Sequence, residues 1–333
     1  MEPSRPNEML PRSGYRALLV MLVVLAVAAS VAVLVVQPSP DPVFEGSPIT
    51  PYGYTISLVL FGLPVAGFLI WFARHRRAHP PWRAFWLTFA VVVGVWSMLD
   101  VLLARTFFTF PNPAATVGIY APGFDPVSGW GLNVPVEEFL FYIGGCAFIV
   151  LAYIWSAEVW YPAATRDPAE YRSEVSAGLV LRQMAHPKSL ALGLIVIAAA
   201  IAYKKLGPHG YQEGFPGYMV FIVLLVTIPA ATTFRLVLRF VNLRAFLFAL
   251  QALLLVALLW EVTLALPYGW WNYRSSQMVG IFIEPWSALP IEAVIVWGAA
   301  AWMNVSLYEL FRLWGHAKEV TTEKPRSPAP RST

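Results

Sequence analysis

The chain has 333 residues, 58% of them hydrophobic and only 13% charged, with 14 Trp, 14 Tyr and 21 Phe and a mean hydropathy of +0.61. A water-soluble domain of that length needs a far more polar surface, so the composition implies an integral membrane protein. The isoelectric point near 9.2 comes from Lys and Arg gathered in loops, which fits membrane topology and lipid headgroups and argues against a nucleic-acid partner.

In chain order, hydropathy predicts eight membrane helices over residues 16–37, 55–73, 84–105, 135–156, 189–203, 217–233, 243–266 and 290–313. The first follows Arg12 and Arg16 but is too long for the ~7–15-residue core of a signal peptide, so it is read as retained. The fifth is short for a span and is expected to borrow residues from Tyr203-Lys204-Lys205. With eight spans, 19 of the 23 Lys and Arg fall on the side of the two termini, and only Arg105, Lys204, Lys205 and Arg274 on the other. The positive-inside rule makes the basic side cytoplasmic, with a bacterial plasma membrane as the expected location. The expected organisation is a cytoplasmic tail (1–15), a first repeat (16–160), a linker (161–188), a second repeat (189–315) and a disordered basic tail (316–333).

The two four-helix halves share a plan, and an even number of helices makes the repeats parallel. The third span of each half carries an acid near its outer end, Asp100 and Glu261. An aromatic loop follows each, Phe107-Phe108-Thr109-Phe110 and Trp270-Trp271-Asn272-Tyr273. Then Pro135-Val136-Glu137-Glu138-Phe139 and Pro290-Ile291-Glu292-Ala293-Val294 open the fourth spans. Proline suits a first helical turn because its missing N–H is unused there, and a carboxylate is favoured beside the free N–H groups. Acids at a membrane helix mouth are costly to keep and therefore candidate functional groups, although single first-turn acids also serve as plain caps. Asp100, Glu137, Glu138, Glu261 and Glu292 are expected to lie at similar depth and to converge on one cavity. Glu137 and Glu292 align, whereas Glu138 aligns with Ala293. On Glu137's face lie Phe141, Gly144, Gly145 and Phe148, an apolar setting that favours a protonated carboxyl able to donate. The aromatic loops suit either a membrane-interface belt or a cavity wall that stabilises a cation. Glu284 reads as a solvated loop acid, and Asn304 as a helix–helix hydrogen-bonding group.

Several chemistries lack their residues. Cys146 is the single cysteine, which rules out an intrachain disulfide or a multi-cysteine metal site, and it reads as a small buried hydrophobe. No dinucleotide or phosphate-loop motif occurs, and the five histidines sit in loops or at ends. No lysine lies mid-helix in the last span, as a retinal Schiff base would need.

A duplicated unit with an acid on one helix and Pro135-Val136-Glu137-Glu138-Phe139 opening the next resembles the lycopene cyclase domain family, with Leu289-Pro290-Ile291-Glu292 as the second motif, over roughly residues 50–315. Ala293 departs from the paired acid of many relatives. The resemblance implies a flavin-independent carotenoid cyclase with no cofactor, reaching lycopene from the bilayer and possessing the option of associating with other carotenoid enzymes. A carboxylic acid would protonate the terminal double bond, an internal double bond would close a six-membered ring, and a base would remove a ring proton. On this implication Glu137 is the leading acid and Glu292 its counterpart. Asp100, Glu138 and Glu261 tune it or accept the departing proton, and Phe141, Trp271 and Tyr273 stabilise the cation, beside Pro135 and Pro290. The rival readings are a carotenoid hydratase, or another end-group enzyme, and a transporter built of two parallel repeats, in which Pro64 and Pro229 would mark kinks.

Overall fold

The computed structural model describes residues 42–44, 47–48, 50–75, 80–165, 187–208 and 210–322. The span expected over 16–37 lies outside these residues, as do most of the 161–188 linker and the end of the tail. The protein is an all-α membrane fold with seven helices, among the described residues, long and apolar enough to cross a bilayer. They are α1 (Gly53–Arg74), α2 (Trp82–Phe107), α3 (Val136–Val159), α4 (Pro187–Leu206), α5 (Gly217–Val237), α6 (Leu243–Ala265) and α7 (Ile291–Thr322).

Local chemistry sets the ends. Pro80-Pro81 precede α2, and the side chain of Asn242 accepts the Ala245 N–H at 3.1 Å to cap α6. The fifth expected span is a full-length one, because Pro187 begins it and it carries through Lys204 and Lys205 to Leu206. Pro135 and Pro290 do not occupy first helical turns. Each is the last residue of a strand and hands over to the helix at the next position, Pro135 with an extended backbone (φ −65°, ψ 144°). Proline's fixed φ suits a strand end as well as a helix start, and its missing N–H is harmless in both.

Helix α3 is the central element. Its residues Cys146 to Ala157 are buried, and it packs on α1, α2, α6 and α7. A helix apolar all round belongs in the middle of a bundle. Two helices contain π-helical stretches, Ile222–Thr227 in α5 and Glu261–Ala265 at the end of α6. The first has a sequence explanation. Gly53-Tyr54 and Gly217-Tyr218 open α1 and α5, but Tyr54 precedes Pro64 by ten residues and Tyr218 precedes Pro229 by eleven. A single π turn absorbs such an extra residue.

Short strands close the end of the bundle that carries the acids. β1 (Phe108–Thr109), directly after α2, pairs antiparallel with β4 (Asn272–Tyr273), separated from the end of α6 by six residues, so the two aromatic loops meet. Between β1 and α3 lies a hairpin of β2 (Tyr120–Asp125) and β3 (Gly129–Pro135), while the second half has only the brief β5 (Phe282–Ile283) and β6 (Leu289–Pro290). The six residues by which the loops differ in length are thus spent on the hairpin.

Candidate active site

Three of the five expected carboxyls share one cavity of about 110 Å³: Asp100 from α2, Glu138 from α3 and Glu261 from α6. Aromatic rings form much of its wall, including Trp96, Phe141, Tyr142, Tyr218, Trp271, Tyr273 and Trp297, with Cys146 and Asn304 further along α3 and α7. Among the described residues, no Lys, Arg or His lines it. Phe141, Trp271 and Tyr273 are where the sequence reading placed them, on the cavity.

Glu137 and Glu292 are not, and this corrects the expectation that they lead the site. Adjacent helical residues point about 100° apart. On α3 the cavity stripe is Glu138, Phe141, Tyr142, Gly145 and Cys146, and on α7 it is Val296, Trp297, Ala300 and Asn304, whose mean direction is about 100° round the helix from Glu292. Both turned-away acids are fully buried and hold a loop instead. Glu137 Oε1 accepts the Val117 N–H at 2.7 Å and the Thr55 hydroxyl at 2.6 Å. Glu292 Oε1 accepts the Val279 N–H at 2.5 Å. The anchoring segments match, Val117-Gly118-Ile119 and Val279-Gly280-Ile281. In each the glycine has positive φ (78° and 96°), and the isoleucine carbonyl accepts the first N–H of the following helix at 3.0 Å (from Val136 and from Ile291). This repeated tripeptide was the overlooked signal that the aligned glutamates are loop clasps. Pro135 and Pro290 belong to the same clasp and do not line the cavity.

The cavity acids have oriented donors. Tyr142 donates to Asp100 at 2.9 Å, Tyr54 to Glu138 at 2.6 Å, Trp297 Nε1 to Glu261 at 3.2 Å, and Tyr273 also to Glu261. Tyr142 and Trp297 occupy equivalent positions, five residues past the clasp glutamates, and serve equivalent acids. Burial, and then the neighbouring Glu261 carboxyl, push the Tyr273 hydroxyl well above its ordinary range, which keeps it a donor. Asp100 Oδ2 is buried with no hydrogen-bond partner among the described residues. Behind the wall, Tyr54, Phe61, Trp260 and Trp270 pack ring on ring, with Tyr54 stacked on Trp270 at 6.0 Å and Phe61 edge-on to Trp260 at 5.5 Å. Rotamers in such a stack are held, so the hydroxyl of Tyr54 stays aimed at Glu138.

The halves are unequal at one decisive place. Ala293 occupies the position equivalent to Glu138 and is fully buried, and Tyr218, equivalent to Tyr54, lines the cavity without an acid of its own. Asn304 makes the expected bond across helices, accepting from Cys146 Sγ at 3.0 Å, and also faces the cavity. Glu284 is exposed.

The four basic residues on the acid-bearing end are all engaged. Arg105 and Arg274 both reach Asp125 Oδ2, at 3.1 and 3.4 Å. Lys204 donates to the carbonyls of Ser275 and Met278, beside the Glu292 clasp, and Lys205 to the Gln212 carbonyl at 3.0 Å. A second buried polar group escaped the sequence reading: Glu309 on α7 accepts from Tyr153 at 2.5 Å and from Arg312 at 2.7 Å, and Tyr153 in turn accepts the Asn242 N–H. It joins α3, α6 and α7. Glu309 and Arg312, three residues apart near the end of an expected span, read as ordinary flanking charges.

No family model matches the chain, and no curated protein or solved structure matches it. No cluster of potential metal ligands occurs among the described residues.

Proposed function

We propose that this protein is a lycopene cyclase that closes the ψ end groups of lycopene, or of a related membrane-dissolved carotenoid, by proton transfer. The observation that carries the reading is an aromatic cavity that brings three carboxyls together and, among the described residues, no basic side chain. Unpaired carboxylates are costly in such surroundings, and protonation removes the cost. A neutral carboxyl facing an apolar substrate is the reagent that protonation of an alkene requires.

The roles follow from position. Glu138 or Asp100 gives a proton to the terminal double bond. The tertiary cation so formed is attacked by the internal double bond, forming one carbon–carbon bond and moving the charge into the ring. Loss of a ring proton to a carboxylate, Glu261 being the one on the opposite half, leaves the new double bond. One proton is added to the substrate and a different one is lost from the ring, so product and substrate are isomers and no redox partner enters. The donor is recharged when the proton taken by the base passes back to it. Trp271, Phe141 and Tyr273 offer π faces to the cation, an interaction worth about 2 kcal/mol or more in a desolvated site. Glu137 and Glu292, the leading acids of the sequence reading, are reassigned as the clasps that hold the loops. With the basic side cytoplasmic, as loop charge implies, the cavity lies toward the far face of a bacterial plasma membrane.

The test is expression in lycopene-accumulating cells with chromatography and mass spectrometry of the pigments. A product of unchanged mass carrying a ringed end group supports the reading. A product heavier by one water identifies a hydratase, and untouched lycopene beside protein present in the membrane removes both.

A further inference from the structure

The β2–β3 hairpin is unlike the rest of the acid-bearing end. Its sixteen residues, Tyr120 to Pro135, carry one charged side chain, Asp125. That carboxylate is turned inward, where the N–H groups of Val127 (2.8 Å) and Ser128 (3.3 Å) and the guanidinium groups of Arg105 and Arg274 satisfy it. The inward face is completed by Gly123 and Val134, both buried, and this face packs on α2. Gly123 is required there, since a Cβ would lie 2.5 Å from the Val134 side chain.

The other face is apolar, and no described residue covers it. Phe124 is 39% exposed, Trp130 63%, Leu132 72% and Val127, at the tip, 86%, and Phe124 and Trp130 lie edge to face at 5.6 Å. In water this would be an apolar patch with no polar counterweight. The hairpin packs on α2, a membrane-spanning helix whose Met98 and Leu102 are also exposed.

We propose that the hairpin lies in the interfacial layer of the bilayer, its Phe124–Trp130–Leu132 face seated among lipid headgroups and upper acyl chains. Two features set its depth. The hairpin is a two-stranded sheet with no further strand on either edge among the described residues, and the N–H and C=O groups of such an edge are tolerated by the hydrated headgroup layer and not by the hydrocarbon core. Trp130 supplies an amphipathic ring of the kind that favours that layer. The inward turn of Asp125 removes the charge that would oppose the placement. The second half has no such element, so the contact belongs to one side of the molecule only. This inference is independent of the reaction proposed above.

The test uses the full chain in phosphatidylcholine–phosphatidylglycerol vesicles, with Val127→Cys and Leu132→Cys made separately and labelled with an environment-sensitive nitrobenzoxadiazole dye. The native Cys146 is buried, and labelling of the unsubstituted chain measures its background. Two positions keep the test intact if one variant fails to fold, which size-exclusion elution reports. The expected result is a blue-shifted emission, largely lost with lipids that carry a nitroxide near the headgroup, less with mid-chain nitroxides and little with aqueous iodide. Quenching by iodide and by neither lipid overturns the proposal. Protection from all three quenchers, with disulfide cross-linking between two copies through Cys at 127, overturns it too and assigns the face to a second copy.

Discussion

Glu137 and Glu138 are neighbours with opposite duties, and exchanging each for glutamine separates them. Glu137 Oε1 accepts two hydrogen bonds, from the Val117 N–H and the Thr55 hydroxyl, and is fully buried. Leaving a buried donor unsatisfied costs about 1–3 kcal/mol. Glu137→Gln keeps an acceptor oxygen for both bonds but sets an amide NH2 where Oε2 is buried with no described partner, so about 1–3 kcal/mol of stability is expected to go. Glu137→Ala strands both donors and should lose about 2–6 kcal/mol. Neither change touches the cavity, so whatever protein folds should still form rings. Glu138→Gln keeps the Tyr54 contact in shape but has no proton to give, and ring formation should fall about 10²–10⁴-fold. The assay pairs thermal unfolding of purified protein in detergent with pigment analysis normalised to membrane protein. Glu137→Gln that unfolds like the unsubstituted chain yet makes no rings would refute the reasoning, as would Glu138→Gln with undiminished turnover.

Three further outcomes are expected. Trp297→Phe removes one donor to Glu261 while preserving an aromatic wall, and turnover should fall about 5–10-fold, an effect of about 1 kcal/mol, with unfolding temperature little changed. Ala293→Glu, which restores the acid missing from the second motif, places a carboxyl where the methyl is already fully buried; it should destabilise the protein without adding activity, as parallel unfolding and pigment assays will report. Asp125 is held below the usual carboxylate range by the Val127 N–H first, then by Ser128 and Arg105, against the opposing pull of burial. Since its folded value is depressed, its contribution is complete above the ordinary value of about pH 4 and is lost as pH falls through the folded one. Acid should therefore release the hairpin, seen as faster proteolysis near Val127, and Asp125→Asn should show the fast rate at every pH.

The sequence by itself determined the membrane environment, the helical class and most span boundaries, because hydropathy over about 20 residues is a local property with one dominant physical cause. It also picked out all three cavity acids, since a carboxyl among apolar residues is conspicuous wherever it occurs. The structure decided which glutamate of each motif faces inward. That choice turns on about 100° of helix rotation, and rotation is set by what packs on every side of α3 and α7. The motif's symmetry pointed to Glu137 and Glu292, yet what repeats is the loop clasp with Val117 and Val279, while the cavity position is the one that differs, Glu138 against Ala293. Likewise the Tyr142–Asp100 and Trp297–Glu261 pairs span 42 and 36 residues, and the Tyr153–Glu309 contact 156. Contacts at such separations leave no periodic trace along the chain, so only the packed helices bring them into view.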